Sequence, residues 1–62
     1  MRHPIALAPK TGEIILIGAD GDDEESEQVW EWYLEGKWSA ERQSWVDIDG
    51  NIINNPHWYE TL

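Results

Sequence analysis

The densest chemical potential in this chain is an acidic octapeptide, Asp20-Gly21-Asp22-Asp23-Glu24-Glu25-Ser26-Glu27. Closely spaced carboxylates suggest calcium, which takes six to eight oxygen ligands. Asp20, Asp22 and Glu24 match the first three ligand spacings of an EF-hand loop, but the sixth position is Glu25 where that loop needs glycine. The bland alternative is a solvated loop: the run has no apolar side chain to bury, and its like charges repel one another. A third reading is a surface that imitates the phosphates of nucleic acid. No metal ligand and no cofactor is assigned to it.

Catalytic chemistry is hard to build from the remaining residues. There is no cysteine nucleophile, and the two histidines, His3 and His57, lie near opposite ends. A general base needs a nucleophile or an orienting acid within hydrogen-bond reach, and no motif supplies one. His57 follows a proline turn, so its imidazole is expected to donate to a backbone carbonyl and fix the closing strand. The chain is therefore expected to be non-enzymatic.

The five tryptophans, Trp30, Trp32, Trp38, Trp45 and Trp58, all fall in the second half. Trp30 and Trp32 would lie about 7 Å apart on one strand face, a spacing suited to stacking on a sugar. A core role has the stronger argument, because the chain has no phenylalanine. A buried Trp removes roughly 200 Å² from water, worth up to ~5 kcal/mol gross.

The elements that would position these residues are bounded by size and charge. A chain of 62 residues makes one small domain, 1–62, and such a domain buries only about 60% of its unfolded surface. Without cysteine, no disulfide can staple it. Thirteen acids face only Arg2, Lys10, Lys37 and Arg42, for a net charge of −9. That charge argues against direct binding to nucleic acid or anionic membrane, and favours basic partners. No apolar run approaches the ~20 residues of a membrane span. The opening residues are too short and too interrupted by proline for a secretory signal, so a cytoplasmic location is expected.

Along the chain, Pro4 and Pro9 are expected to hold the first nine residues extended. Lys10-Thr11-Gly12 reads as a turn. Residues 13–18 form a β-branched run that suits a central strand. Residues 20–27 read as a loop. From Gln28 to Glu35 the pattern alternates, with Trp30, Trp32 and Leu34 on one side and Glu31, Tyr33 and Glu35 on the other, which argues for a strand. Glu35-Gly36-Lys37 is expected to turn, and Trp38–Gln43 stays open between a hairpin arm, a loop and one helical turn. Residues 44–48 read as a strand, Asp49-Gly50 as a type I′ hairpin turn, and residues 57–62 as a short closing strand or tail. The fold class is mainly β: a four- or five-stranded antiparallel meander or small barrel-like sheet, with room for one short helical turn. One face of so small a sheet must be covered, by the N-terminal arm or by a second copy.

Several segments, taken in order, resemble a small phage and proteobacterial family of unknown function. They are Pro4-Ile5, Ala8-Pro9-Lys10-Thr11-Gly12, Ile14-Ile15-Leu16, the run from Trp45-Val46-Asp47 to Ile53, and Pro56-His57-Trp58 ahead of Leu62. Members of that family open on PI-x-x-APKDG-x-x-IL, pass through W-V-D-x-D-G-x-x-I and close on P-T-H-W-x-x-L. This chain has Thr11 in place of the opening Asp and lacks the Thr before His57-Trp58. The resemblance implies a phage or prophage origin and a small β-fold. It implies no activity.

Two functions of different classes follow. In the first, Asp20, Asp22, Asp23, Glu24, Glu25 and Glu27, with Glu31, Glu35 and Glu41 nearby, face a basic protein of the bacterial host. The protein is then an inhibitor or nucleic-acid mimic directed at a nuclease, polymerase or guided defence complex. In the second, the aromatic sheet pairs with itself as a homodimer or joins a phage assembly, and the acid serves solubility. The acidic cluster exceeds what solubility needs, since a net charge of magnitude ~2–8 suffices for a small domain. That excess favours the first.

Overall fold

A computed structural model describes residues 1–62. The chain forms one five-stranded antiparallel sheet, curled into a half-barrel. The strands are β1 (His3–Pro4), β2 (Ile15–Asp23), β3 (Gln28–Ser39), β4 (Ser44–Asp47) and β5 (Trp58–Glu60), in the order β1-β5-β2-β3-β4. The middle of the chain is a meander, as expected. The last strand is not its next turn: β5 crosses back to pair with the far side of β2 and brings β1 in as the outer edge. The β-branched run is thereby central, with β5 on one side and β3 on the other.

Four local expectations are corrected. First, the strand does not stop at Gly18. β2 continues through Asp20–Asp23, each residue registered against β3, and only Glu24–Glu27 turn. Period two explains how acids tolerate a strand: Asp20 and Asp22 point to one face while Gly21 and Asp23 point to the other, so successive charges diverge into water. Second, Glu35-Gly36-Lys37 does not turn but lies inside β3. Gly36 is buried there, and a Cβ on it would press against the Val46 carbonyl and Ile53. The glycine therefore admits a neighbour rather than bending the chain. Third, the opening residues are not all extended: Ile5–Leu7 form a 3₁₀ turn closed by the Ala8 amide on the Ile5 carbonyl at 3.0 Å. A proline constrains itself and the residue before it, so Ala8 stays extended ahead of Pro9 while Ile5–Leu7 are free to coil. Fourth, Asp49-Gly50 is not a type I′ pair. Only Gly50 has positive φ, and the turn is closed by the Gly50 amide on the Asp47 carbonyl at 3.0 Å. The Asp47 carboxylate accepts the Asp49 and Asn51 amides, each at 2.9 Å, and so selects this longer turn.

Residues 38–43, left open by the sequence, divide into a strand end and a turn at Ala40–Gln43. The two meander hairpins share one design. A side-chain acceptor opens each turn, Asp23 for the Glu25 amide and Ser39 for the Arg42 amide, both at 3.1 Å. A left-handed residue ends each, Glu27 and Gln43.

The core lies on one face. Ile15, Ile17 and Trp45 are buried there beneath Ala8 of the N-terminal arm and Ile53, with Ile5, Trp32, Leu34, Trp38 and Tyr59 packed around them. The arm is thus the cover for the aromatic face. Trp38 and Trp45, opposite each other in register, meet edge to face with centroids 5.2 Å apart.

Candidate functional site

The β2–β3 hairpin carries eight of the nine acids proposed above for partner binding; the ninth, Glu41, lies in the turn between β3 and β4. β5 pairs with β2 only as far as Gly18, and β4 pairs with β3 only from Gly36 onward. Beyond those limits the hairpin has no neighbouring strand. It extends a molecule whose longest dimension is 39 Å against 23 and 17 Å for the others.

The eight acids do not form one patch. Asp23, Glu24, Glu25 and Glu27 are exposed around the turn. The Asp23 carboxyl is held below its ordinary value, first by the Ser26 hydroxyl and then by the Glu25 and Ser26 amides, so it stays ionised while closing the turn. Asp22 stands opposite Val29 and Asp20 opposite Glu31, all on the face away from the core. Glu35 shares that face but lies seven residues along β3 from Gln28, about 23 Å from the turn. The result is a stripe of carboxylate along a ribbon. No group of His, Asp or Glu side chains converges in a way that could hold a metal ion. Of the calcium-like spacing, Asp20 and Asp22 fall on the extended strand and only Glu24 on the turn, so the three carboxylates do not curl around one centre.

Arg2 is the residue that sequence reasoning missed. Its guanidinium lies 3.1 Å from Asp20 and 2.6 Å from Glu31, with Glu60 at 3.9 Å, and 4.1 Å above the Trp58 ring. Asp20 and Glu31 would otherwise repel across the ladder, and like charges directly opposite destabilise a sheet. Arg2 is eighteen residues from Asp20 and joins it only because β1 pairs with β5. Asp20 and Glu31 are therefore partly neutralised. Asp22, Asp23, Glu24, Glu25, Glu27 and Glu35 have no cationic partner. An arginine two residues before Pro4 was the one available signal, and nothing in the local pattern connects it to the acids.

Trp58 sits beneath Arg2 and against Gly18, 6% exposed. On the other face, Trp30 lies over Gly21 and remains 46% exposed, so the expected core role fails for this one ring. Trp30 faces the His57 ring at 6.1 Å and forms no ring pair with Trp32, whose side chain packs into the core. A flat two-tryptophan sugar platform is not what the rings make. His57 Nδ1 stands 3.1 Å from the Asp20 carbonyl and 3.4 Å from its amide, while the His57 amide donates to the Gly18 carbonyl at 2.8 Å. With the proton on Nδ1, the imidazole donates to that carbonyl, which is the backbone pairing expected of it. It closes the edge of β2 where β5 stops. A shallow cleft beside it is lined by Asp20, Gly21, Asp22, Val29, Trp30 and Glu31.

The remaining cations lie toward the other end. Lys10 stands 4.4 Å over the Trp38 ring, and Lys37 and Arg42 border a second shallow depression beside it. The charge is thus unevenly spread along the molecule, with the acidic turn at one extremity.

No family model matches the chain, and neither does any curated protein or any solved structure.

Proposed function

We propose that this chain is a small acidic, non-enzymatic binding protein, of phage or prophage origin, that engages a basic protein of its bacterial host in the cytoplasm. The supporting observation is the projecting β2–β3 hairpin, whose turn acids have no cationic partner. A ribbon with carboxylates along its length offers a basic groove a row of negative charge, as a nucleic-acid backbone does. Complementary charge of this kind speeds encounter and competes with nucleic acid for the groove. The phage-family resemblance supports the origin, and a nucleic-acid-binding host factor is the class of target that the charge suits.

The test replaces Asp22 and Asp23 with Asn and Glu24 and Glu25 with Gln. Asn at position 23 can still accept the turn amide, so the fold is expected to survive. Tagged wild-type protein should retain a nucleic-acid-binding protein from bacterial lysate, release it at moderate salt, and lose it to added DNA. The fourfold variant should fail to retain it. Retention that is unchanged by the substitutions and persists at high salt would overturn the reading. It would favour the alternative, an assembly module built on the sheet.

A further inference from the structure

The outer edge of β3 is open. The Ile53 amide donates to the Trp45 carbonyl and the Asp47 amide to the Asn51 carbonyl, so Trp45 and Asp47 turn their backbone groups away from β3. Ser44 and Val46 therefore face β3, where they meet Ser39 and Lys37. Strand alternation carries this down the chain: Gly36, Leu34, Trp32, Trp30 and Gln28 bond toward β2, and Val29, Glu31, Tyr33 and Glu35 direct N–H and C=O outward. None of the backbone bonds outside the ladders reaches those four residues, and all four are exposed. An edge of this length is a template for another strand.

The side chains beside that edge select its occupant. Away from the core, an added strand would lie next to Val29, Glu31, Tyr33 and Glu35, with Asp20 and Asp22 one strand further in. On the core side it would meet Gln28, Trp30, Trp32 and Leu34. One side is acidic with an aromatic and a valine between the charges, and the other is largely apolar. A second copy of β3 would set Glu31 and Glu35 against their own kind in a chain of net charge −9, which disfavours self-pairing.

Resting on the function proposed above, we infer that the free edge of β3, from Val29 to Glu35, binds an extended segment of the basic partner by strand addition, and that this segment alternates Lys or Arg with apolar residues. The cations would face Glu35, which has no cationic partner, and Glu31, which they would share with Arg2, and the apolar residues would cover Trp30 and Leu34. Backbone bonds supply affinity in this mode, and alternate side chains supply selection.

The experiment uses full-length protein and a synthetic ten-residue peptide alternating Lys and Val. Amide exchange is followed by NMR. Binding should slow exchange at Val29, Glu31, Tyr33 and Glu35. A peptide N-methylated on alternate residues keeps the charges but cannot pair one edge, and should bind about tenfold more weakly or worse. Tyr33→Pro removes an outward N–H together with the exposed ring, so it should leave the far-UV spectrum intact and weaken binding further than Tyr33→Ala, which loses the ring alone. Equal binding by the methylated peptide, with no protection along β3, would overturn strand addition and leave the charge-based function standing. Failure of every cationic peptide to bind would overturn both.

Discussion

Gly18 offers a sharp test of the packing on the face away from the core. A Cβ at this position would come within 3.0 Å of three Trp58 ring carbons. Trp58 is 6% exposed and roofed by Arg2, so its ring has little room to retreat. Overpacking of this kind costs about 1–3 kcal/mol. Against it stands the gain from replacing glycine in a strand, about 0.5–1 kcal/mol. With three ring atoms so close the cost falls in the upper half of that range, so Gly18→Ala should lose about 1–2.5 kcal/mol net, lowering Tm by about 4–20 °C in a domain this small. Gly21→Ala is the matched control. Its Cβ would stand 2.6 Å from the Trp30 ring, but Trp30 is 46% exposed and can swing into solvent. The clash is then relieved, and the change should lie within about 0.5 kcal/mol of wild type. Both variants are compared by thermal melts followed in near-UV circular dichroism. Gly18→Ala equal to or more stable than wild type would refute the packing of Trp58 over Gly18. Equal losses at both glycines would refute the argument that exposure decides the outcome.

Arg2→Ala should cost about 1–2 kcal/mol at low salt, from three partly exposed ion pairs and a stacked guanidinium. Urea melts at low and high salt check it, and the penalty should shrink as salt rises. Asp47 should titrate below 3.8, because the Asn51 amide, followed by those of Asp49 and Gly50, holds its charged form, against an opposing effect of desolvation. A depressed folded-state pKa contributes stability that is present above the unfolded value and is lost as pH falls through the folded one. The stability gap between wild type and Asp47→Ala should therefore be constant near neutrality and narrow below about pH 4, as urea melts across that range would show.

Much of the architecture was legible locally. The alternation from Gln28 to Glu35 assigns a strand and its two faces, because side-chain period follows directly from backbone geometry. The run at residues 13–18 announces a central strand because its residues are apolar on both sides. The acidic segment was misread for a physical reason. Composition reports that its residues have nothing to bury, but strand pairing needs only a partner backbone, which Val29 and Trp30 provide opposite Asp22 and Gly21. Gly36 misled in the same way. Glycine marks turns and close approaches alike, and only the position of Val46 and Ile53 shows that this one is an approach.

The candidate site was half legible. Its acids are visible as a cluster whose charge disfavours binding to phosphate, and the lack of cysteine excludes thiol chemistry. Their division into a neutralised pair and an unpartnered turn was not visible, because Arg2 reaches Asp20 and Glu31 through two strand pairings that close only in the folded chain. The open edge of β3 was equally hidden, since it depends on where β4 stops.

By itself, then, the sequence determined a small, cysteine-free, acidic β-domain with an aromatic core and a charged hairpin, since composition and period-two patterning are properties of neighbouring residues. The tertiary structure alone decided the return of β5 beside β2, the seating of Arg2 on Trp58 and the acids, and the unpaired outer edge of β3. Each of those depends on contacts between distant segments, whose choice rests on the packing of the whole sheet rather than on any local preference.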